Sequence, residues 1–309
     1  MRRTHLEEAD MSRSVRGIEG RDQAAVARIF SAAVFHELLK SGQSPTFARL
    51  VKESGLDLSN SAGSVGQIFD HAFSLLKRKV YRNEYAYKSA VAQKILLGAH
   101  SLRTASMIGE FRVGSSKADL VILNGTSTAY EIKSDRDKLD RLETQVVSYS
   151  EVFASVAVLC AEKHLQAVLA AVPEFVGVSV LTDRFQISSF RKSIEEPGRT
   201  KSVSILDSVT RKEAVMILDE LGIEAPRVPN TQMYGALKKI FEVVPSEQIH
   251  SQMVQVLKNT RSLSGLVEAV DGLPASLRLF ALTVPFGDRG RENLFCAMDT
   301  PVLEAMKWG

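Results

Sequence analysis

The chain has 309 residues, 45% of them hydrophobic and 24% charged, values that exclude wholesale disorder, a fibrous architecture and a disulfide-stapled miniprotein. A formal net charge of only +3 leaves any contact with nucleic acid to a local patch, because no bulk polycation is present. Cys160 and Cys296 make no CxxC pair and the six histidines make no HxxxH or HxH, so a zinc knuckle, a disulfide framework and a histidine metal centre are not expected.

In chain order, residues 1–23 are polar and without a sustained period, which predicts a leader. The start MRRTHLEEAD turns acidic instead of apolar, and nowhere do about 18 uninterrupted apolar residues occur. A cytoplasmic protein without a membrane partner is the expectation. From Ala24 to Lys40 the apolar residues recur at helical spacing. Ser44-Pro45 opens a short helix, a polar stretch around Ser59–Gly66 follows, and Gln67–Lys79 is helical. This helical region, 1–81, suits a bundle that packs on a neighbour, and it is also compatible with a helix-turn-helix variant.

Residues 82–198 change character. A helix from Asn83 to Leu97 precedes strands at Met107–Val113, Ala118–Leu123 and Thr128–Ser134. A helix over 136–153, a strand at Ser155–Cys160, a helix at Lys163–Ala171 and strands at Val176–Leu181 and Phe185–Phe190 complete the segment. This order predicts an α/β (α+β) fold with a mixed sheet flanked by helices. After the Glu195–Arg199 linker, residues 199–309 read as helical, with helices at Ile205–Leu221, Gln232–Val243 and Ser246–Leu257.

Chemistry concentrates between Glu110 and Asp135. Strand side chains alternate, so Glu131 and Lys133 point one way while Ile132 points the other. Asn124-Gly125 is a turn signal, and a three-residue loop there sets Asp119 opposite Glu131, whereas two or four residues set Asp119 on the other face. Across Gly114–Lys117, pairing Val113 with Ala118 puts Asp119 opposite Arg112, with Glu110 on the same face as a third carboxylate. Oxygen ligands of this kind suit Mg²⁺ or Mn²⁺, beside which Lys133 would meet a scissile phosphate. The same residues also admit plain structural roles: Asp119 capping the turn at Ser115-Ser116, Glu110 pairing with Arg112 or Lys117, and Tyr149 as a core aromatic.

Asp119, eleven intervening residues and then Glu131-Ile132-Lys133 resemble the signature of the PD-(D/E)XK nuclease superfamily, the restriction-endonuclease-like fold. The continuation through Asp135, Arg141, Gln145 and Tyr149 is similar to a bacterial branch described as DNA-repair-like or restriction-like. The resemblance covers about residues 82–190. The proline of the name is replaced by Ala118. It implies that Asp119 and Glu131 bind the metal with the Ile132 carbonyl as a further ligand, and that Lys133 positions water or stabilises charge. It further implies that Glu84 on the first helix and Gln145 support the site.

The expected function is therefore a Mg²⁺- or Mn²⁺-dependent endonuclease hydrolysing phosphodiester bonds of DNA, in repair or in defence against foreign DNA. The alternative is a nuclease-like fold acting as a non-catalytic nucleic-acid- or protein-binding regulatory module. The helical regions offer surfaces for a protein partner, and a homodimer stays open where two strands must be cut.

Overall fold

In this computed structural model residues 20–56 and 63–308 are described, and they fall into two units. One is Lys77–Pro285; the other combines the residues up to Leu76 with those from Phe286 onward. The expected leader lies outside the described residues up to position 19, and Gly20 already opens a helix. Part of the polar stretch at 59–66 is likewise outside them.

The discontinuous unit holds helices α1 (Gly20–Ile29), α2 (Ala32–Ser41), α3 (Pro45–Ser54) and α4 (Val65–Leu76), with Asp288–Asp299 and Val302–Ala305 from the far end of the sequence. The helix expected over 24–40 is thus two, interrupted at Phe30-Ser31. Ser44 caps α3 by accepting from Phe47 N at 2.9 Å, with Pro45 in the first turn, where the missing N–H costs nothing. Phe69 anchors the core, its ring 5.0 Å from that of Phe47, 5.6 Å from Phe30 and 6.0 Å from Phe35. The returning segment is tied in by Val65 N donating to Thr300 O and Val302 N to Gly63 O, at 3.0 and 2.9 Å.

The Lys77–Pro285 unit is built on strands β1 (Ser106–Val113), β2 (Ser116–Leu123), β3 (Ser127–Lys133), β4 (Ser155–Cys160), β5 (Gly177–Leu181) and β6 (Ile187–Arg191). They lie in the sheet in that order. β3, β4 and β5 are parallel, and the outer pairs are antiparallel. Helix α5 (Glu84–Ala90) precedes the sheet, α6 (Leu142–Ser150) makes the crossover from β3 to β4, and α7 (Leu165–Ala171) that from β4 to β5. Leu120, Val121, Ile122 and Leu123 are all buried, as expected of a strand covered on both faces. The fold is the expected α+β arrangement of a mixed sheet flanked by helices, with helical regions on either side of it in sequence.

The chain divides otherwise than at 81 and 198. Helices α8 (Ser202–Ser208), α9 (Arg211–Glu220), α10 (Asn230–Val243) and α11 (Ser246–Thr260) share one apolar core with the sheet. Ile205, Ile217, Phe241 and Met253 lie in the same cluster as Val121, Val156 and Val178. The helix expected over 205–221 is split at Val209, because Thr210 and Glu213 form a capping box that starts α9 afresh. Similarly, α6 begins at Leu142 and not at 136. Asp137 accepts from both the amide and the hydroxyl of Ser134, a local turn that competes with helix.

Three polar ties hold this core in register. Arg82 is buried and donates to the carbonyls of Lys77, Leu181, Thr182 and Asp183 at 2.6–3.1 Å. Glu213 receives two hydrogen bonds from Arg261, at 3.0 and 3.1 Å. His250 on α11 is hydrogen-bonded to Ser127 at the start of β3 at 2.7 Å, and Ser127 Oγ accepts from Ala154 N at 3.0 Å. Burial pushes the His250 pKa down to about 4. None of the described helices is long and apolar enough to cross a membrane.

Candidate active site

The β2–β3 connection is Asn124-Gly125-Thr126, a three-residue loop with Gly125 at φ 72°, a left-handed conformation that favours glycine. Leu120 pairs with Tyr130 and Leu123 with Ser127, so one step further along the register Asp119 stands opposite Glu131, as the odd loop requires. On the other side the expected pairing of Val113 with Ala118 is not found. The turn has two residues, Gly114 and Ser115, and Val113 pairs with Ser116 while Arg112 pairs with Lys117. The position between Phe111↔Ala118 and Gly109↔Leu120 sets Glu110, in place of Arg112, across from Asp119. Glu110 has φ 56°, an uncommon backbone state for a residue with a Cβ.

Two helices divide the carboxylates between them. On the α6 side, Lys133 Nζ donates to Glu131 Oε1 at 2.7 Å and to Gln145 Oε1 at 3.0 Å. The Tyr149 hydroxyl lies 2.8 Å from Glu131 Oε2 and 2.8 Å from the Lys117 carbonyl. Glu131, Lys133 and Tyr149 are buried. On the α5 side, Asp119 Oδ2 accepts from the backbone amide of Ile132 at 2.8 Å, and Asp119 Oδ1 lies 3.4 Å from Lys88 Nζ. Lys88 also reaches Glu84 at 2.5 Å and Glu110 at 3.9 Å. Glu84 and Lys88 are four apart with the acid first, the favourable order on a helix.

Burial raises the Asp119 pKa against the pull of Lys88 and the Ile132 amide. Burial and the neighbouring Asp119 charge raise that of Glu131, against Lys133 and Tyr149. Although burial works the other way, Asp119, Glu84 and Glu110 hold the Lys88 pKa above its ordinary value. The hydrogen bond from Lys117 lowers that of Glu110. Burial and Glu131 push the Tyr149 phenol well up, so its hydroxyl stays a donor at neutral pH.

The sequence expectations sort accordingly. Glu131, Lys133, Gln145 and Tyr149 form one hydrogen-bonded network, and beside it Asp119 is held by the Ile132 amide and by Lys88, through which it meets Glu84. Glu110 is 60% exposed and bonded to Lys117 at 2.6 Å, the surface pairing that was its plainer role. Ile132 supplies its amide to Asp119. Arg141 is exposed one turn before Gln145, and Arg136 and Lys138 are exposed too. Lys88 was missed. Its signal was a single charged residue between buried Ala86-Tyr87 and Ser89-Ala90, in i+4 relation to Glu84.

Among the described residues no three His, Cys, Asp or Glu side chains converge as a metal cage. Mg²⁺ and Mn²⁺ do not need one: they are commonly held by one or two carboxylates, with waters and substrate phosphate completing the shell. Asp119 and Glu131 are hard oxygen donors of that kind. In donor chemistry the pair fits such an ion, provided Lys88 and Lys133 give up part of their hold on it.

The Lys77–Pro285 unit is thus an α+β protein that carries a buried carboxylate–lysine network where β2 begins and β3 ends. A family model described as Bacteriophage P4 protein cII matches residues 77–269, nearly the whole of this unit. The chain belongs to the bacteriophage P4 protein cII family. Protein cII of Enterobacteria phage P4 is 30% identical over 175 residues, covering 55% of this chain and 58% of that protein, so the chain spans under two thirds of this relative's length. Among solved structures, the SPO1766 protein of unknown function from Silicibacter pomeroyi aligns with 44% of this chain and 88% of its own, at 18% identity and a TM-score of 0.30.

Proposed function

We propose that the network is the active site of a divalent-metal-dependent nuclease that hydrolyses phosphodiester bonds of DNA. The observation that carries this reading is the register of β2 on β3, which puts Asp119 opposite Glu131 with Lys133 two residues further along the same strand. The likeness of these residues to the PD-(D/E)XK signature agrees with it.

When bound, Mg²⁺ or Mn²⁺ would polarise a phosphoryl oxygen and make its bound water a better nucleophile. Asp119 and Glu131 would hold the ion. The Ile132 amide and the Tyr149 hydroxyl fix one oxygen of each carboxylate, which limits the reorganisation needed on binding. Lys133, oriented by Gln145, places a positive charge where the pentavalent phosphate gains negative charge. DNA would reach the site past exposed Arg112, Lys117 and Arg141.

A specific observation also favours a second reading, a nuclease-like module that binds nucleic acid without cutting it. All four oxygens of Asp119 and Glu131 already have protein partners: Lys88, the Ile132 amide, Lys133 and Tyr149. One experiment separates the two. Purified protein is incubated with labelled single-stranded, duplex and branched DNA in Mg²⁺, Mn²⁺ or EDTA, beside Lys133→Ala and Asp119→Asn. Metal-dependent cutting lost in both variants supports the nuclease. Binding of the same DNA by fluorescence anisotropy, with no cutting in any metal, sinks it in favour of the module.

A further inference from the structure

Lys88 has no counterpart in the chemistry just described, yet its ammonium sits among three carboxylates. Its side chain is 13% exposed, and Glu84, Asp119 and Glu110 lie at 2.5, 3.4 and 3.9 Å. Glu84 and Glu110 are more than half exposed, so Asp119 is the partner whose charge solvent screens least. Asp119 is also one of the two carboxylates that the nuclease reading assigns to the metal. An ammonium and a divalent cation therefore contend for Asp119, whose Oδ1 faces Lys88 while Oδ2 accepts from the Ile132 amide.

The charge balance gives this contest a consequence. Glu84, Glu110, Asp119 and Glu131 face Lys88, Lys117 and Lys133, which leaves one net negative charge. A divalent cation added to that set leaves one positive charge, the complement of a single phosphodiester. Without Lys88 the set would carry two negative charges, which the metal alone would neutralise, and the set would keep no net positive charge to complement the phosphate.

Resting on the nuclease reading, we propose that Lys88 is a positioning residue that couples metal to substrate: its ammonium competes with the divalent cation for Asp119 in the free protein and pairs with the phosphodiester when both are bound. The metal alone is then held weakly, and metal and nucleic acid strengthen each other's binding. Such coupling is reciprocal by thermodynamic necessity, since each ligand changes the other's affinity by the same factor.

The test uses the full chain and Mn²⁺ alone as probe, with free Mn²⁺ followed by electron paramagnetic resonance. Wild type, Lys88→Met, Lys88→Arg and Asp119→Asn are titrated with and without a short phosphorothioate DNA duplex, after circular dichroism has checked that each is folded. Without DNA, Lys88→Met should bind Mn²⁺ about tenfold more tightly than wild type, within the usual range of coupling between sites. Lys88→Arg, which keeps the charge, should follow wild type. The duplex should tighten Mn²⁺ binding in wild type and in Lys88→Arg, and not in Lys88→Met.

Equal or weaker Mn²⁺ binding by Lys88→Met, or the same gain from DNA in both proteins, overturns the coupling while leaving the nuclease reading intact. Wild-type binding that Asp119→Asn does not weaken, or no binding by any variant with or without DNA, overturns both. Should Lys88→Met fail to fold, Lys88→Gln takes its place with the same expectations.

Discussion

The Tyr149 hydroxyl on α6 and Glu131 Oε2 on β3 lie 2.8 Å apart, and both side chains are buried. A carboxylate in such a place depends on every donor it has. Replacing Tyr149 by Phe keeps the ring in the core and removes the donor. Tyr149→Phe should lose about 1–3 kcal/mol of stability, read as a lower urea midpoint with an unchanged slope.

Arg82 makes a different demand. Its guanidinium satisfies four carbonyls at once, a planar fork of donors that an ammonium cannot reproduce. Arg82→Lys keeps the charge, yet it should cost about 2 kcal/mol, because the buried Leu181 carbonyl and its part-buried neighbour at Thr182 lose donors. Chemical denaturation and faster amide hydrogen exchange at Leu181 to Asp183 would report it. A change within 0.5 kcal/mol, the scatter of an ordinary surface substitution, would contradict the role given to Arg82.

Stability should also fall on mild acidification through His250. Its folded pKa, about 4, lies below the ordinary value of 6.5, so the unfolded chain binds the extra proton first. The contribution is fully present above pH 6.5 and is lost as pH falls through that window toward 4. By pH 5 the loss from this one group is about 2 kcal/mol. Urea midpoints of wild type and His250→Gln, compared between pH 7.5 and 5, should show the shallower pH dependence in the variant.

Glu213 and Arg261 join α9 to the end of α11, with Arg261 lying over the Phe111 ring at 5.2 Å. Glu213 is buried, whereas the Arg261 side chain is 31% exposed, so solvent weakens the pair. Arg261→Met should cost about 2 kcal/mol, less than a fully buried pair would. Adding Glu213→Gln should recover part of that in a double-mutant cycle, since it removes the unpaired charge.

Which features were legible in the sequence follows from the range of the forces involved. The strands were, because alternation is a property of adjacent residues, and so was the Asp119–Glu131 pairing once Asn124-Gly125 limited the choice of loop. The breaks at Phe30-Ser31 and Val209 were not, since apolar periodicity runs through them and capping and packing decide where each helix restarts. Amphipathic patterns at 205–257 showed that these helices bury a face, but not that the face lies against the sheet. Glu110, and not Arg112, stands across from Asp119 because the Gly114-Ser115 turn pairs Val113 with Ser116, a choice of register that alternation does not make. Lys88 escaped notice because a long side chain's destination depends on what the fold brings within its reach.

The division of the chain bears on the order of events during synthesis. The helical unit that opens the described chain is completed only by residues from Phe286 onward, including the Val302 amide bound to Gly63. Its two segments are separated by the whole of Lys77–Pro285. Helices α1 to α4 therefore leave the ribosome without their closing partners and wait while the sheet and the helices that follow it are made. Closing so long a loop costs only slightly more entropy than closing a short one, provided the inserted unit has already collapsed and brought its ends together. Translation thus delivers every residue of the inserted unit before the enclosing one can close.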